Sequence, residues 1–226
     1  MNVTWYIDRA SGMVAFALLT ATVASGLLMS GRARLRRWPR FAVEDVHRFA
    51  SLLTWTFVGM HALALLADSY LPFSVTELLV PGLAPYRPLP TALGIVAAEL
   101  LAALAIANTL RDRISYRLWR RTHYLNFAVW VLALGHGVTA GSDSNMTWAL
   151  TLYAASASLV AGMTAWRVLS RRTAGTWAVR FGTPLAAVAA ADLAIVLDLG
   201  VAPISVFGGR GAGNGRPWAA STGSWG

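Results

Sequence analysis

The 226-residue chain contains no cysteine. Disulfides, iron–sulfur clusters and thiol catalysis are therefore excluded. Lysine is absent too, because all nineteen basic residues are arginine. No side-chain amine is available for a Schiff base. Charge is scarce, at 13% of residues, where a soluble domain carries about 25%. That deficit makes lipid the expected solvent. No Gly-rich dinucleotide fingerprint follows an expected strand. The net charge of +9 does not argue for nucleic acid, because the arginines cluster in short stretches between apolar segments, where they set membrane orientation.

What is present is apolar sequence. Six segments can be read, at 12–30, 47–67, 91–110, 123–140, 146–166 and 184–206. Each is near the ~20 residues that cross a hydrocarbon core. The expected fold is an all-α integral membrane bundle of six transmembrane helices. Segment four is the shortest, with Trp119 and Tyr124 as anchors for its inner end. Asp192 and Asp198 interrupt segment six. Segment one lacks a basic n-region and is followed by a strong basic cluster. It therefore reads as a retained helix with its N-terminus outside rather than a signal peptide.

Fifteen of the nineteen arginines fall on alternate connections. Arg32, Arg34, Arg36, Arg37, Arg40 and Arg48 lie around the first, Arg111, Arg113, Arg117, Arg120 and Arg121 on the third, and Arg167, Arg171, Arg172 and Arg180 on the fifth. Those connections are expected to be cytoplasmic, with both termini external, in a multi-pass plasma (inner) membrane protein. The external connection 68–90 holds Ser74 and Glu77 at capping-box spacing ahead of Leu78, Leu79 and Val80, so a short interfacial helix is expected there. The Gly-, Ser- and Arg-containing stretch 207–226 reads as a disordered external tail. No internal repeat is obvious.

The chain has only four histidines, His47, His61, His123 and His136. Each pair lies in one apolar segment, at spacings of 14 and 13 residues. Segments two and four both run from inside to outside, so they are parallel. His47 and His123 then share an inner level, and His61 and His136 an outer level, about 20 Å apart along a helix. Neutral imidazole is a strong axial ligand for haem iron, and two of them leave no open position. The pattern suits two b-type haems stacked across a bilayer and relaying electrons. Arg48, Arg120 and Arg121 flank the inner pair as candidate propionate contacts, with Arg87 the candidate for the outer haem. Simple topology accounts equally well for these arginines. Gly59 and Gly135 stand near the outer histidines, where a macrocycle needs room, or else serve helix packing.

One detail resists this picture. Fourteen residues fall about 40° short of four turns, so His47 and His61 share a face; thirteen fall about 140° short, so His123 and His136 do not. The haems must be offset, or helix four tilted or distorted, and Gly135 and Gly137 make distortion cheaper. The bland alternative makes the histidines polar glue between helices. Glu99, Asp192 and Asp198 are the other intramembrane polar candidates, for protons or quinol.

The spacings His47-x13-His61 and His123-x12-His136, with the stretches His47-Arg48-Phe49, Tyr116 to Tyr124 and Leu134-Gly135-His136-Gly137, resemble the ferric reductase-like transmembrane domain family. The resemblance covers roughly residues 5–206. It implies a haem-binding membrane domain in which His47 and His123 hold the inner haem and His61 and His136 the outer one. Ferric reductases and NADPH oxidases append a cytosolic flavin- and nicotinamide-binding module, whereas only about twenty residues follow segment six here. The expectation is a stand-alone bihaem module, in size closest to the haem-binding membrane subunit of the bacterial methionine-sulfoxide reductase system. Electrons would come from a cytoplasmic flavin reductase or quinol and pass to an extracytoplasmic redox partner or ferric iron. A flavin mononucleotide in place of or beside one haem is the cofactor alternative. Two other readings stand beside this one: a quinol-linked cytochrome b with Glu99 handling protons, and a non-redox transporter or scaffold.

Overall fold

The structure is a computed structural model that describes residues 3–30, 39–69 and 71–172. Among these residues it is all-helical, with no strand. The helices are α1 (Val3–Ser30), α2 (Arg40–Ala67), α3 (Val75–Leu79), α4 (Pro88–Thr109), α5 (Tyr116–His123), α6 (Asn126–Ala140) and α7 (Thr147–Arg172). Helices α1, α2, α4 and α7 are long and apolar enough to cross a membrane. The protein is a multi-pass membrane protein. In lipid a spanning segment must satisfy its own backbone, and an unbroken helix does so. The segment expected at 184–206, its Asp192 and Asp198, and the tail 207–226 lie outside the described residues.

Helix ends follow local chemistry. Ser74 accepts from the Glu77 amide at 3.3 Å, and Glu77 accepts from the Ser74 amide at 2.7 Å, which is the expected capping box at the start of α3. Ser115 Oγ accepts from the Leu118 amide at the start of α5. α4 opens on Pro88 and Pro90, whose missing amides fall in the first turn, where no intrahelical partner exists.

α1 is the centre of the bundle, packing on α2, α6 and α7, while α4 packs on α6 and α5. The core joins Phe16, Leu19, Val23 and Leu27 of α1 to Val129 and Trp130 of α6 and to Tyr153, Val160 and Met163 of α7. At mid-height Phe16 lies edge-on to Tyr153 and stacked on Trp130, whose indole donates to Thr20 Oγ1 at 3.0 Å. Lipid tails are as apolar as these side chains, so close packing and such bonds hold the helices together.

Two expectations are corrected. Segment one begins at Val3, not residue 12. Segment four is not one helix: His123 closes α5, and α6 starts at Asn126 with only 15 residues. The break sits at Tyr124 and Leu125, whose amides bond three residues back, to Arg121 and Thr122. It is not at Gly135 or Gly137, which lie inside α6. The 140° mismatch is absorbed there, because the histidine at the inner end is no longer carried by the helix that bears His136.

Candidate functional site

The structure brings His47 beside His123, with ring centres 6.4 Å apart, and His61 beside His136, at 6.2 Å. The histidines thus meet at two levels, and α2 runs in the same direction as α5 and α6. α2 itself makes little contact with α6. It leans on α1 through Val43, Ala50, Thr54 and Ala64, leaving a gap bridged by the imidazole pairs.

Three of the four rings rest on a neighbouring helix in one repeated way. His47 Nδ1 lies 3.0 Å from the Thr22 carbonyl of α1, His61 Nδ1 3.0 Å from the Asp8 carbonyl of α1, and His136 Nδ1 3.0 Å from the Pro90 carbonyl of α4. Four residues beyond each carbonyl is a glycine: Gly26, Gly12 and Gly94. A Cβ at Gly94 would come within 2.7 Å of the His136 ring, one at Gly12 within 3.1 Å of His61, and one at Gly26 within 3.4 Å of His47. The glycine clears the helix surface so that an imidazole can reach the carbonyl one turn back. A carbonyl only accepts, so each Nδ1 carries the proton and each Nε2 keeps its lone pair. This is the arrangement by which a metal-binding histidine is fixed in tautomer and orientation.

His123 is held differently. It stacks on Trp119, with centres 5.2 Å apart and planes 22° from parallel, and Trp119 Nε1 donates to Asn108 Oδ1 of α4 at 3.4 Å. Asn126 Nδ2 donates to the His123 carbonyl at 2.9 Å across the break. His61 has a further contact, with its Nδ1 2.8 Å from Asp8 Oδ1. Beside it, Arg9 pairs with Asp143 of the α6–α7 connection and lies over the Trp5 ring.

The residues fit haem. Two imidazoles bound on opposite sides of one metal at about 2 Å set their ring centres about 6 Å apart, and both levels have that spacing. Two ligands are too few for a tetrahedral protein site. Among the described residues no group of three His, Asp or Glu side chains gathers to make one. A Cβ at Gly59 would meet nothing within 4 Å, but Gly59 lies about 200° round α2 from His61, so that open space is not beside the histidine. Gly135 instead packs against Leu93, and Gly137 against Tyr153.

Three of the four flanking arginines, Arg48, Arg120 and Arg87, are engaged with protein. Arg48 pairs with Glu44 at 2.6 Å on an exposed turn of α2. Arg120 is bonded to Tyr124 and also meets Tyr116, and Arg121 is exposed. Arg87 adopts a left-handed backbone (φ 41°) and donates to the Thr139 carbonyl at 2.6 Å, one turn past His136. Glu99 is exposed midway along α4, about 140° round the helix from Gly94.

The glycine seats escaped the sequence reading, although a signal for two of them was there. Ala-Ser-Gly occurs at residues 10–12 and again at 24–26, a 14-residue repeat equal to the His47–His61 spacing.

No curated protein and no solved structure matches the chain. The family described as ferric reductase like transmembrane component matches residues 11–134, just over half of the chain. That span includes the seat glycines Gly12, Gly26 and Gly94 and three of the four histidines, with Asp8 three residues before it and His136 two residues beyond it. A bundle pairing its histidines at two depths, matched over this span, belongs to the ferric reductase-like transmembrane family.

Proposed function

We propose that this protein carries electrons across its membrane through two b-type haems, the inner held by His47 and His123 and the outer by His61 and His136. The observation that carries this reading is the double pairing of imidazoles at a spacing suited to one iron each, with Nδ1 of three of the four 3.0 Å from a helix carbonyl that accepts from it. When bound, each haem would supply a one-electron redox centre.

The chain's own residues do the rest. Thr22, Asp8 and Pro90 offer the carbonyls that aim three imidazoles, and Trp119 steadies the fourth. The aromatic packing of Phe16, Trp130 and Tyr153 holds α1 against α6 and α7, and so fixes α2 relative to α6. The arginine distribution supports a cytoplasmic inner level and an external outer level in the plasma membrane. Electrons would enter from a flavoprotein or quinol and leave to an extracytoplasmic reductase or ferric iron.

The test is haem content by pyridine haemochrome, with a reduced-minus-oxidised spectrum of the purified protein. Two haem b per chain with a low-spin spectrum is expected. His61→Ala or His136→Ala then removes one haem, and His47→Ala or His123→Ala removes the other. Protein expressed with ample haem that binds none overturns the reading. Loss of both haems from every single variant overturns the assignment of levels.

A further inference from the structure

The two seats on α1 share a five-residue pattern with one telling difference. The inner seat reads Thr22-Val23-Ala24-Ser25-Gly26, and the outer seat Asp8-Arg9-Ala10-Ser11-Gly12. In each, the first residue gives its carbonyl to the imidazole and the last gives way to the ring. The first residue's side chain is a hydroxyl inside and a carboxylate outside.

The surroundings of the two rings follow from this. At the inner seat the oxygens that touch His47 Nδ1 are neutral, the Thr22 carbonyl at 3.0 Å and Ser25 Oγ at 3.1 Å, and the Glu44 carboxylate, paired with Arg48, acts on the ring without touching it. The Thr22 hydroxyl is buried and bonded to nothing. At the outer seat the Asp8 carboxylate oxygen lies 2.8 Å from His61 Nδ1 as a close charge contact without hydrogen-bond alignment, while the carbonyl at 3.0 Å takes the hydrogen bond. Across the pair, His136 Nδ1 has the neutral Pro90 carbonyl. The adjacent cation, Arg9, does not offset Asp8, because it is committed to Asp143 and to the face of Trp5.

Unlike a hydroxyl or a carbonyl, a carboxylate is charged. Its full negative charge beside the ring stabilises positive charge there and makes the imidazole a more basic ligand, and a more basic ligand favours the higher oxidation state of the metal it binds. We propose that Asp8 is a positioning residue which, through His61, makes the outer centre harder to reduce than a neutral residue at the same place would. This rests on the two-haem reading above and deepens it. The step in charge along the repeat separates the potentials of two sites that are otherwise built alike.

The experiment is a spectroscopic redox titration, at one fixed pH, of the full haem-loaded chain and two variants. The outer wave is identified as the one missing from His136→Ala. Asp8→Asn is expected to move the outer wave upward and leave the inner wave in place, at unchanged haem content. Thr22→Asp, which copies the outer pattern into the inner seat, is expected to move the inner wave downward. Two haems with both waves unmoved in Asp8→Asn overturn the inference and leave the two-haem reading standing. If Asp8→Asn costs the outer haem, Thr22→Asp decides alone, and an inner wave that does not fall overturns the inference. A wild-type chain without haem overturns both.

Discussion

The two histidine levels are built to different standards. At the outer level both imidazoles lie within helices of at least 15 residues and both are seated, His61 over Gly12 and His136 over Gly94. At the inner level only His47 has such a seat; His123 ends an eight-residue helix and relies on a stack with Trp119. Helix α4 explains the asymmetry, because it ends at Thr109 and so gives the α5 end less surface to lie on than it gives α6. A ring fixed by a backbone carbonyl is pre-oriented before any metal arrives, whereas a ring fixed by stacking keeps freedom to slide. The outer level is therefore the rigid one, and the inner level the adaptable one.

The largest effect should come from filling a seat. Gly94→Ala places a methyl 2.7–2.9 Å from three atoms of the His136 ring, which must swing off the Pro90 carbonyl. Alanine raises helix propensity by about 1 kcal/mol over glycine, so loss of function here cannot be blamed on a weaker helix. Haem per chain is expected to fall from two to one, with the inner wave intact. Gly12→Ala, at 3.1 Å from His61, should weaken the outer site without abolishing it, and Gly26→Ala, at the ordinary contact distance of 3.4 Å, should leave the inner site nearly unchanged. Haem stoichiometry across the three variants checks the order, and a flat series would break the contrast between the tight outer seats and the looser inner one.

Next comes the stack. Trp119→Ala removes the face on which His123 rests. Changes to groups that orient a metal ligand cost about 10–100-fold in affinity, and for a stack the lower end is expected. Haem loss to a scavenging apoprotein should quicken about tenfold for the inner haem only, and Trp119→Phe should restore most of the retention. Equal loss from both levels would show that Trp119 supports the bundle rather than its inner histidine.

A smaller and symmetric effect is expected from Trp130→Phe. It keeps the stack on Phe16 and deletes the buried bond to Thr20. Interhelical bonds of this kind average about 0.6 kcal/mol in a membrane. Thermal unfolding in detergent should shift slightly, with the two haems retained in the same ratio. An effect confined to one level would mean that the α1–α6 contact favours one pair of rings.

How much of this was legible in the sequence depends on the kind of signal. The pairing of His47 with His123 and of His61 with His136 follows from arginines on alternate connections, because those make helices two and four parallel. Ser74 and Glu77 announce α3 by spacing alone. The break at Tyr124 and Leu125 carried no local mark, since neither residue is proline or glycine. Its trace was indirect, in the 140° by which thirteen residues miss a common face, and the nearby Gly135 and Gly137 drew attention to the wrong place. The seats were hidden for another reason. Gly12 and Gly26 look like packing glycines until α1 is laid antiparallel to α2. Their spacing then equals that of His47 and His61, and each glycine meets one ring.

The last and smallest effect concerns α3, which touches neither level. Its capping box holds the Glu77 carboxyl below its ordinary value, first through the Ser74 backbone amide and then through the Ser74 hydroxyl. A carboxyl depressed in the folded state stabilises that state above its unfolded pKa and ceases to do so as pH falls through the folded value. The order of α3 should thus be full at neutral pH and decline as acid carries Glu77 below its ordinary value near 4.5. Amide exchange at Val75–Leu79, corrected for intrinsic rates, should rise across that window. Glu77→Gln, which removes the charge but keeps an acceptor, should flatten the pH dependence while both haems stay bound. Loss of the outer haem in step with the melting of α3 would instead tie this surface helix to the outer histidines, and the rigidity assigned to the Gly12 and Gly94 seats would then depend on a cap that does not touch them.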